Sequence, residues 1–447
     1  MKTKRSRVAI LVLALVAAML VLGRLGYDAF LGKEDLDGPC TAIPDPAVTT
    51  QPAPPSAGPA DWPRWRGPNG DGKSAQTGIR KDWAGGLTRL WQVNFLCQDS
   101  RTVTWSAPAV RGNRLVVPGR ASGRDLVFCL NPATGAVLWQ QSYEAKAGMS
   151  HGSGPRATPC IDGDRVYTFG RGGHLASWQL ADGKQVWLRN VEELGGKAPT
   201  WGHSSSPLIH GDKVIVQGGG KALVAAYEKM TGEPAWQAME GKAGYAAPIV
   251  TQTPAGPRLL VFHGTGLACL DPVDGRRFWS IPWKTAYDAN AATPLVSGAT
   301  VFITSGYGVG CQALTLEDAG PTVLWQNKAI ASHHSDPVLV DGHLYGYSGQ
   351  STQNKGHFKC VALADGAEKW STDLLGWGTV LYVDGHLLCM DIDGNLFLVK
   401  PDPGECRVVT QFRAALGPIK HPAWTIPVVA NGRLFLRYIQ RMVCYEL

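Results

Sequence analysis

The chain rewrites one short pattern about eight times, and few folds can absorb such a repeat. Five copies align without a gap as a turn Gly with Trp four residues later: Gly135/Trp139, Gly183/Trp187, Gly232/Trp236, Gly275/Trp279 and Gly366/Trp370. A sixth, Gly320/Trp325, is one residue longer. Ahead of seven of the units stands an x-Pro step: Ala107-Pro108, Thr158-Pro159, Ser206-Pro207, Ala247-Pro248, Thr293-Pro294, Asp336-Pro337 and Ile426-Pro427. A period of about 40–50 residues with three or four short apolar runs per unit marks the blades of a β-propeller.

One unit shows how a blade is made. Ala107-Pro-Ala-Val110 enters a strand, Gly112-Asn113 turns, Leu115-Val-Val-Pro118 returns and Leu126–Leu130 runs back. The Asn131-Pro-Ala-Thr-Gly135 turn then sends out Val137-Leu-Trp139. Pro at a strand's first position removes no ladder hydrogen bond, and the turn Gly supplies positive φ. The Trp is placed to lie across the neighbouring blade beside that blade's turn. Innermost strands are expected near residues 106, 157, 205, 246, 292, 335, 378 and 425. The seventh unit is degenerate and has no outer Trp. The eighth stops at Cys444-Tyr-Glu-Leu447, before any turn Gly or outer Trp. The missing strand is foreshadowed at Leu87-Thr-Arg-Leu-Trp91-Gln-Val93, so the ring is expected to close between the two ends and remove its open edge. The fold class read from this pattern is all-β, an eight-bladed β-propeller over residues 61–447, preceded by an N-terminal transmembrane or signal helix.

The first sixty residues are different in kind. Four of the seven net positive charges are Lys2, Lys4, Arg5 and Arg7, leaving +3 for the other 440 residues. No basic stripe that could track a phosphate backbone remains, so nucleic acid is not an expected partner. Sixteen uncharged residues, Val8 to Gly23, follow the basic start. The expected order is a cytoplasmic tail (1–7), a signal-anchor (8–26), a Pro-rich linker (31–60) and an exported propeller, which places the protein in the inner membrane with its bulk facing the periplasm. Secretion after signal cleavage is the alternative. Pro39 before Cys40 makes a poor lipoprotein site.

Ten Cys in an exported chain raise the question of disulfides. Cys129, Cys269 and Cys360 each lie six residues before a turn Gly, where other units carry Ser177 and Ala226. That is a slot for a small buried side chain, repeated in separate blades too far apart for the Cα spacing of about 4.4–6.8 Å that a bridge requires. Cys40, Cys97, Cys160, Cys389 and Cys406 fall outside the slot, and spacing does not pair them.

The turn-to-Trp stretch Asn-Pro-Ala-Thr-Gly-Ala-Val-Leu-Trp (131–139) resembles the tryptophan-docking motif of the pyrroloquinoline-quinone-like (PQQ-like) repeat propellers, the quinoprotein alcohol dehydrogenase-like superfamily. In style it is nearest to the eight-bladed outer-membrane-assembly type. Asp61-Trp-Pro-Arg-Trp-Arg-Gly-Pro68 resembles the segment that leads into blade one in envelope members. The resemblance implies two different functions. One is a scaffold for envelope proteins or a small polar ligand, with no cofactor. The other is a dehydrogenase of alcohols or sugars that uses PQQ with Ca²⁺ or another metal. The dehydrogenases carry adjacent Cys beside the quinone, and this chain has no Cys-Cys pair and no haem-attachment motif. No Gly-x-Ser-x-Gly, His-Glu-x-x-His or phosphate loop appears either. No catalytic residue and no metal ligand is therefore assigned, and the first function is preferred.

The candidate ligand residues are those just before each innermost strand, expected to line one mouth of the channel: Trp105, Arg156, His203, Asn290, His333, His334, Asp336 and Trp377, with Trp201, Tyr245 and Trp424 around the same ring. The blade-docking residues are Trp91, Trp139, Trp187, Trp236, Trp279, Trp325 and Trp370. His203 and the His333/His334 pair belong to distant units and are not expected to share a metal.

Overall fold

The computed structural model describes residues 40–44, 60–98, 103–146, 151–350 and 356–447. They form eight sheets around one axis, each built on four antiparallel strands. The inner strands are Ala109–Arg111, Cys160–Asp162, Leu208–His210, Ile249–Thr253, Leu295–Ser297, Val338–Val340, Gly378–Val383 and Val428–Ala430. All but the seventh begin three residues beyond the expected start, because the x-Pro step lies in the approach and not in the ladder. Ring closure is as expected. Arg89–Val93 pairs antiparallel with Arg441–Glu446, with Trp91 opposite Cys444.

Tryptophan docking joins the blades. The indole N–H of Trp91 donates to Pro132 O (3.0 Å), Trp139 to Leu180 O (3.0 Å), Trp187 to Lys229 O (3.1 Å), Trp279 to Glu317 O (2.8 Å), Trp325 to Leu363 O (2.8 Å) and Trp370 to Asp402 O (2.8 Å). Trp236 packs against Gly275 but makes no such hydrogen bond. A Cβ built on Gly183 would sit 2.5 Å from the Trp139 ring, so the docked indole itself demands glycine there. The residue across the ladder from each Trp is small: Cys129, Ser177, Ala226, Cys269, Ala313, Cys360 and Cys444. The thiols in this slot are buried and unbridged.

Blade seven lacks an outer Trp for a reason visible only in the closed ring. Its Trp would have to dock on the turn of blade eight, and that turn is where the chain is broken between Leu447 and the strand from Arg89. Trp83, from just ahead of that strand, is buried there instead, and its backbone N–H donates to Thr410 Oγ1 (3.1 Å).

The lead-in segment was expected only to precede blade one, but it crosses the channel. Asp61 accepts from Gly112 N and Asn431 Nδ2, and Trp62 exchanges backbone hydrogen bonds with Val110. Pro63 O accepts from Ile161 N, and Trp65 Nε1 donates to Thr293 Oγ1 (2.9 Å). Arg66 pairs with Asp336 (2.9 Å) and donates to Pro337 O. Lys73–Ser74 then adds a parallel strand beside Gly378–Val383, and Ser74 Oγ reaches Val429 O. Arg64, Trp65, Asn69 and Gly70 face Leu208 and Ile249 of the third and fourth blades across a small cavity. Backbone polar groups facing the channel thus find protein partners.

The proposed anchor, residues 8–26, and all but a few residues of the linker 31–60 lie outside the described residues. Among the described residues no helix is long and apolar enough to cross a membrane.

Candidate functional site

Loops approaching the inner strands converge on one mouth of the channel and enclose a cavity of about 210 Å³. The lead-in segment makes it blind: Trp65 forms the floor. Around the wall runs a closed circuit of ring contacts. Trp201 meets Tyr287 (5.6 Å between centroids), Tyr287 meets Tyr307 (5.7 Å) and Tyr307 meets His333 (4.9 Å). His333 meets His334 (4.8 Å), His334 meets Trp424 (5.4 Å), Trp424 meets His151 (5.8 Å), and His151 returns to Trp201 (6.2 Å). Trp105 stacks outside Trp424 and Tyr245 beside Trp201.

Three members of this belt sit on left-handed backbone: His151 (φ 54°), Tyr287 (φ 60°) and Tyr307 (φ 57°). Bulky residues rarely adopt that region. Each instance costs roughly 1–3 kcal/mol, and such strain clusters at binding sites. Tyr287 is also 62 % exposed, so the mouth presents an aromatic ring to solvent.

Arg156 is the one cation of the wall among the described residues. Its guanidinium donates to Trp201 O and His151 O (both 3.0 Å), which ties two belt members together. No carboxylate and no side-chain amide lines the cavity among the described residues. The imidazoles are neutral near pH 7. Burial, then Arg156 and Arg171, push His151 down to about 4. Burial and His151 bring His333 to about 4, and burial, His333 and Arg156 hold His334 well below its ordinary value.

Of the eight residues expected at the mouth, Trp105, Arg156, His333 and His334 line the cavity. The other four are placed elsewhere. Asn290 is wholly buried, donating to His263 O and Trp283 O and accepting from Thr285 and Ser305. Asp336 is held by Arg66 and Thr293 N. His203 is 2 % exposed and packs on Phe169. Trp377 is buried behind His334, donating to Gly349 O. Position just before a strand sets height along the channel but not the direction of the side chain. His151, Tyr287, Tyr307 and Trp65 were missed. Glycine beside the aromatic in His151-Gly152 and Gly306-Tyr307-Gly308 was the available signal.

Depressed imidazoles make stability depend on pH. The ordinary value, 6.5, lies above the folded values of about 4 for His151, His203 and His333. Between those limits the unfolded chain binds more protons, so stability is full above pH 6.5 and is lost as pH falls toward 4. His203, the most buried of the three, contributes on the order of 2–3 kcal/mol to that loss, and the others less because solvent screens them. We expect Tm to fall steadily from pH 6.5 to 4.5 and His203→Asn to flatten the slope. A constant Tm over that range would refute the assignment.

A quinone with calcium would need oxygen donors for the metal. The two polar side chains nearest in kind, Asn290 and Asp336, already have their oxygens engaged within the fold. The described residues of the mouth therefore do not fit a calcium–quinone centre.

Comparisons with known proteins agree on architecture. BamB from Moraxella catarrhalis superposes with a TM-score of 0.57 at 16 % identity, covering 81 % of this chain and 100 % of that one. Quinohemoprotein alcohol dehydrogenase from Comamonas testosteroni gives 0.61 at 13 %, covering 87 % and 80 %. A europium-containing methanol dehydrogenase gives 0.62 at 13 %, covering 85 % and 90 %. At these identities the likeness establishes the fold alone. No curated protein sequence matches the chain. One family pattern, described as outer membrane protein assembly factor BamB, matches residues 84–150 and 124–372. That match spans more than half of the sequence and the same docking repeats that join the blades, so the chain belongs to this family of PQQ-like propellers.

Proposed function

We propose that this protein is a binding propeller of the cell envelope, held at the inner membrane by residues 8–26 with its ring on the exported side. Its blind mouth takes a flat or apolar group bearing negative charge, from a small ligand or from the projecting chain of a partner protein. The observation that carries this reading is the closed aromatic belt on strained backbone, with Arg156 as its only cation and no carboxylate among the described lining residues. An aromatic wall favours planar or apolar groups, and a half-buried guanidinium at that wall favours an anionic one. The family description, outer membrane protein assembly, supports an envelope protein as the partner. The dehydrogenase reading shares the fold but rests on no donor set in the mouth, and fold does not choose between functions.

Calorimetry on the full chain with 3-phenylpropionate, its amide and phenethylamine tests the mouth. The expected order of affinity is anion, amide, amine, with Arg156→Gln closing the first gap about tenfold and Arg156→Lys partly restoring it. Tightest binding of the amine, or no binding of any member at millimolar concentration, would sink the reading. Dye reduction with added PQQ, Ca²⁺ and an alcohol panel is expected to stay at background.

A further inference from the structure

Outside the mouth, residues 40–44 return to the propeller at the seam between blades eight and one. Thr41 N donates to Asn94 O (3.3 Å), and Ile43 packs on the apolar core there. Loop 94–98 is itself fastened to both blades: Leu96 N donates to Gln440 O, and Arg120 N to Leu96 O. The Sγ of Cys40 stands 2.6 Å from Cys97 O and 3.4 Å from Asn94 O. Standard bond lengths then hold the two Cα atoms to at most roughly 8 Å, a range that includes the span of about 4.4–6.8 Å of a disulfide. Two cysteines 57 residues apart in sequence are thus brought together where the described linker residues 40–44 meet the ring, with the Cys97 thiol turned toward Thr104.

We propose that Cys40 and Cys97 form a disulfide that clamps the N-terminal segment to the seam of the ring. Cys97 is buried beside Arg437, and burial raises its thiol while Arg437 and Thr104 oppose that rise. Arg437 is itself buried, donating to Ser106 O, Ile439 O and Thr104, with no carboxylate paired to it among the described residues. In the exchange the half-exposed Cys40 thiolate attacks a donor disulfide, such as oxidised glutathione or a thiol–disulfide oxidoreductase, and expels one thiolate. The Cys97 thiol, giving up its proton as it reacts, then attacks the Cys40 sulfur and expels the second thiolate. Two protein thiols lose two electrons and two protons, and the donor becomes two thiols. The other eight thiols stay reduced.

The test is thiol counting and peptide mapping of the full chain after incubation with oxidised glutathione and alkylation in denaturant without reductant. Eight alkylated Cys of ten and a Cys40–Cys97 linked peptide are expected, along with a Tm that drops by a few degrees when reductant is added. In Cys40→Ser, whose position is only half-buried, Tm should no longer respond to reductant. This variant keeps the test informative should Cys97→Ser fail to fold. Ten alkylated thiols, Cys40 linked to another Cys, or Cys40 carrying a lipid would each overturn the proposal.

Discussion

A chain that begins at residue 95 should not fold as a monomer. It lacks the strand Arg89–Val93 and the docked Trp91, and it leaves Arg441–Glu446 as an open edge carrying Met442, Val443, Cys444 and Tyr445. An unpaired apolar edge recruits strands from other copies. Size-exclusion chromatography should show aggregates or strand-exchanged oligomers, and the cooperative melt should be lost. A peptide spanning residues 84–94, supplied in trans, should recover part of the monomer. The point variant Trp91→Ala isolates the packing share. It removes the ring lying on Gly135 and the hydrogen bond to Pro132, at a cost of about 3–5 kcal/mol. A truncated chain that melts cooperatively as a monomer would mean that the ring does not depend on this closure.

The second large effect concerns the channel plug. Asp336→Asn should destabilise the protein by about 3–5 kcal/mol in urea unfolding, because Arg66 would keep its charge in a site where its side chain is only 3 % exposed. The remaining donations of Arg66 to Gly70 O, Asp71 O and Pro337 O satisfy its geometry but not its charge. The double variant Arg66→Met/Asp336→Leu should cost clearly less than the single one, since desolvation of both ions disappears with them. The single variant should also weaken binding at the mouth, because Trp65, the floor, is the neighbour of Arg66 along the chain. A loss below 1 kcal/mol for Asp336→Asn would show that the plug is not held by this pair.

Much of the architecture was readable because it is local and repeated. Gly183 and Trp139 lie in successive units, and their contact recurs at the same spacing around the ring, so a pattern of single letters encodes a packing rule. The small slot opposite each Trp was legible as Cys, Ser or Ala for the same reason. The missing Trp of blade seven was visible as an irregularity, and its cause, the chain break in blade eight, required the closed ring. The mouth was only half legible. Trp105, Arg156, His333 and His334 face the cavity, but Asn290 and Asp336, in equivalent positions, turn into the walls to satisfy buried partners.

The number of blades, the partner of the last strand and the docking of each indole follow from the amino-acid order, because each depends on neighbours at a fixed spacing. The path of residues 61–74 across the channel, the meeting of Cys40 with loop 94–98 and the left-handed aromatics of the mouth belong to the tertiary structure. They form on the axis and at the seam, where a non-repeating segment meets loops hundreds of residues apart, and hydrogen-bond and charge satisfaction among those loops decides which side chains face the cavity.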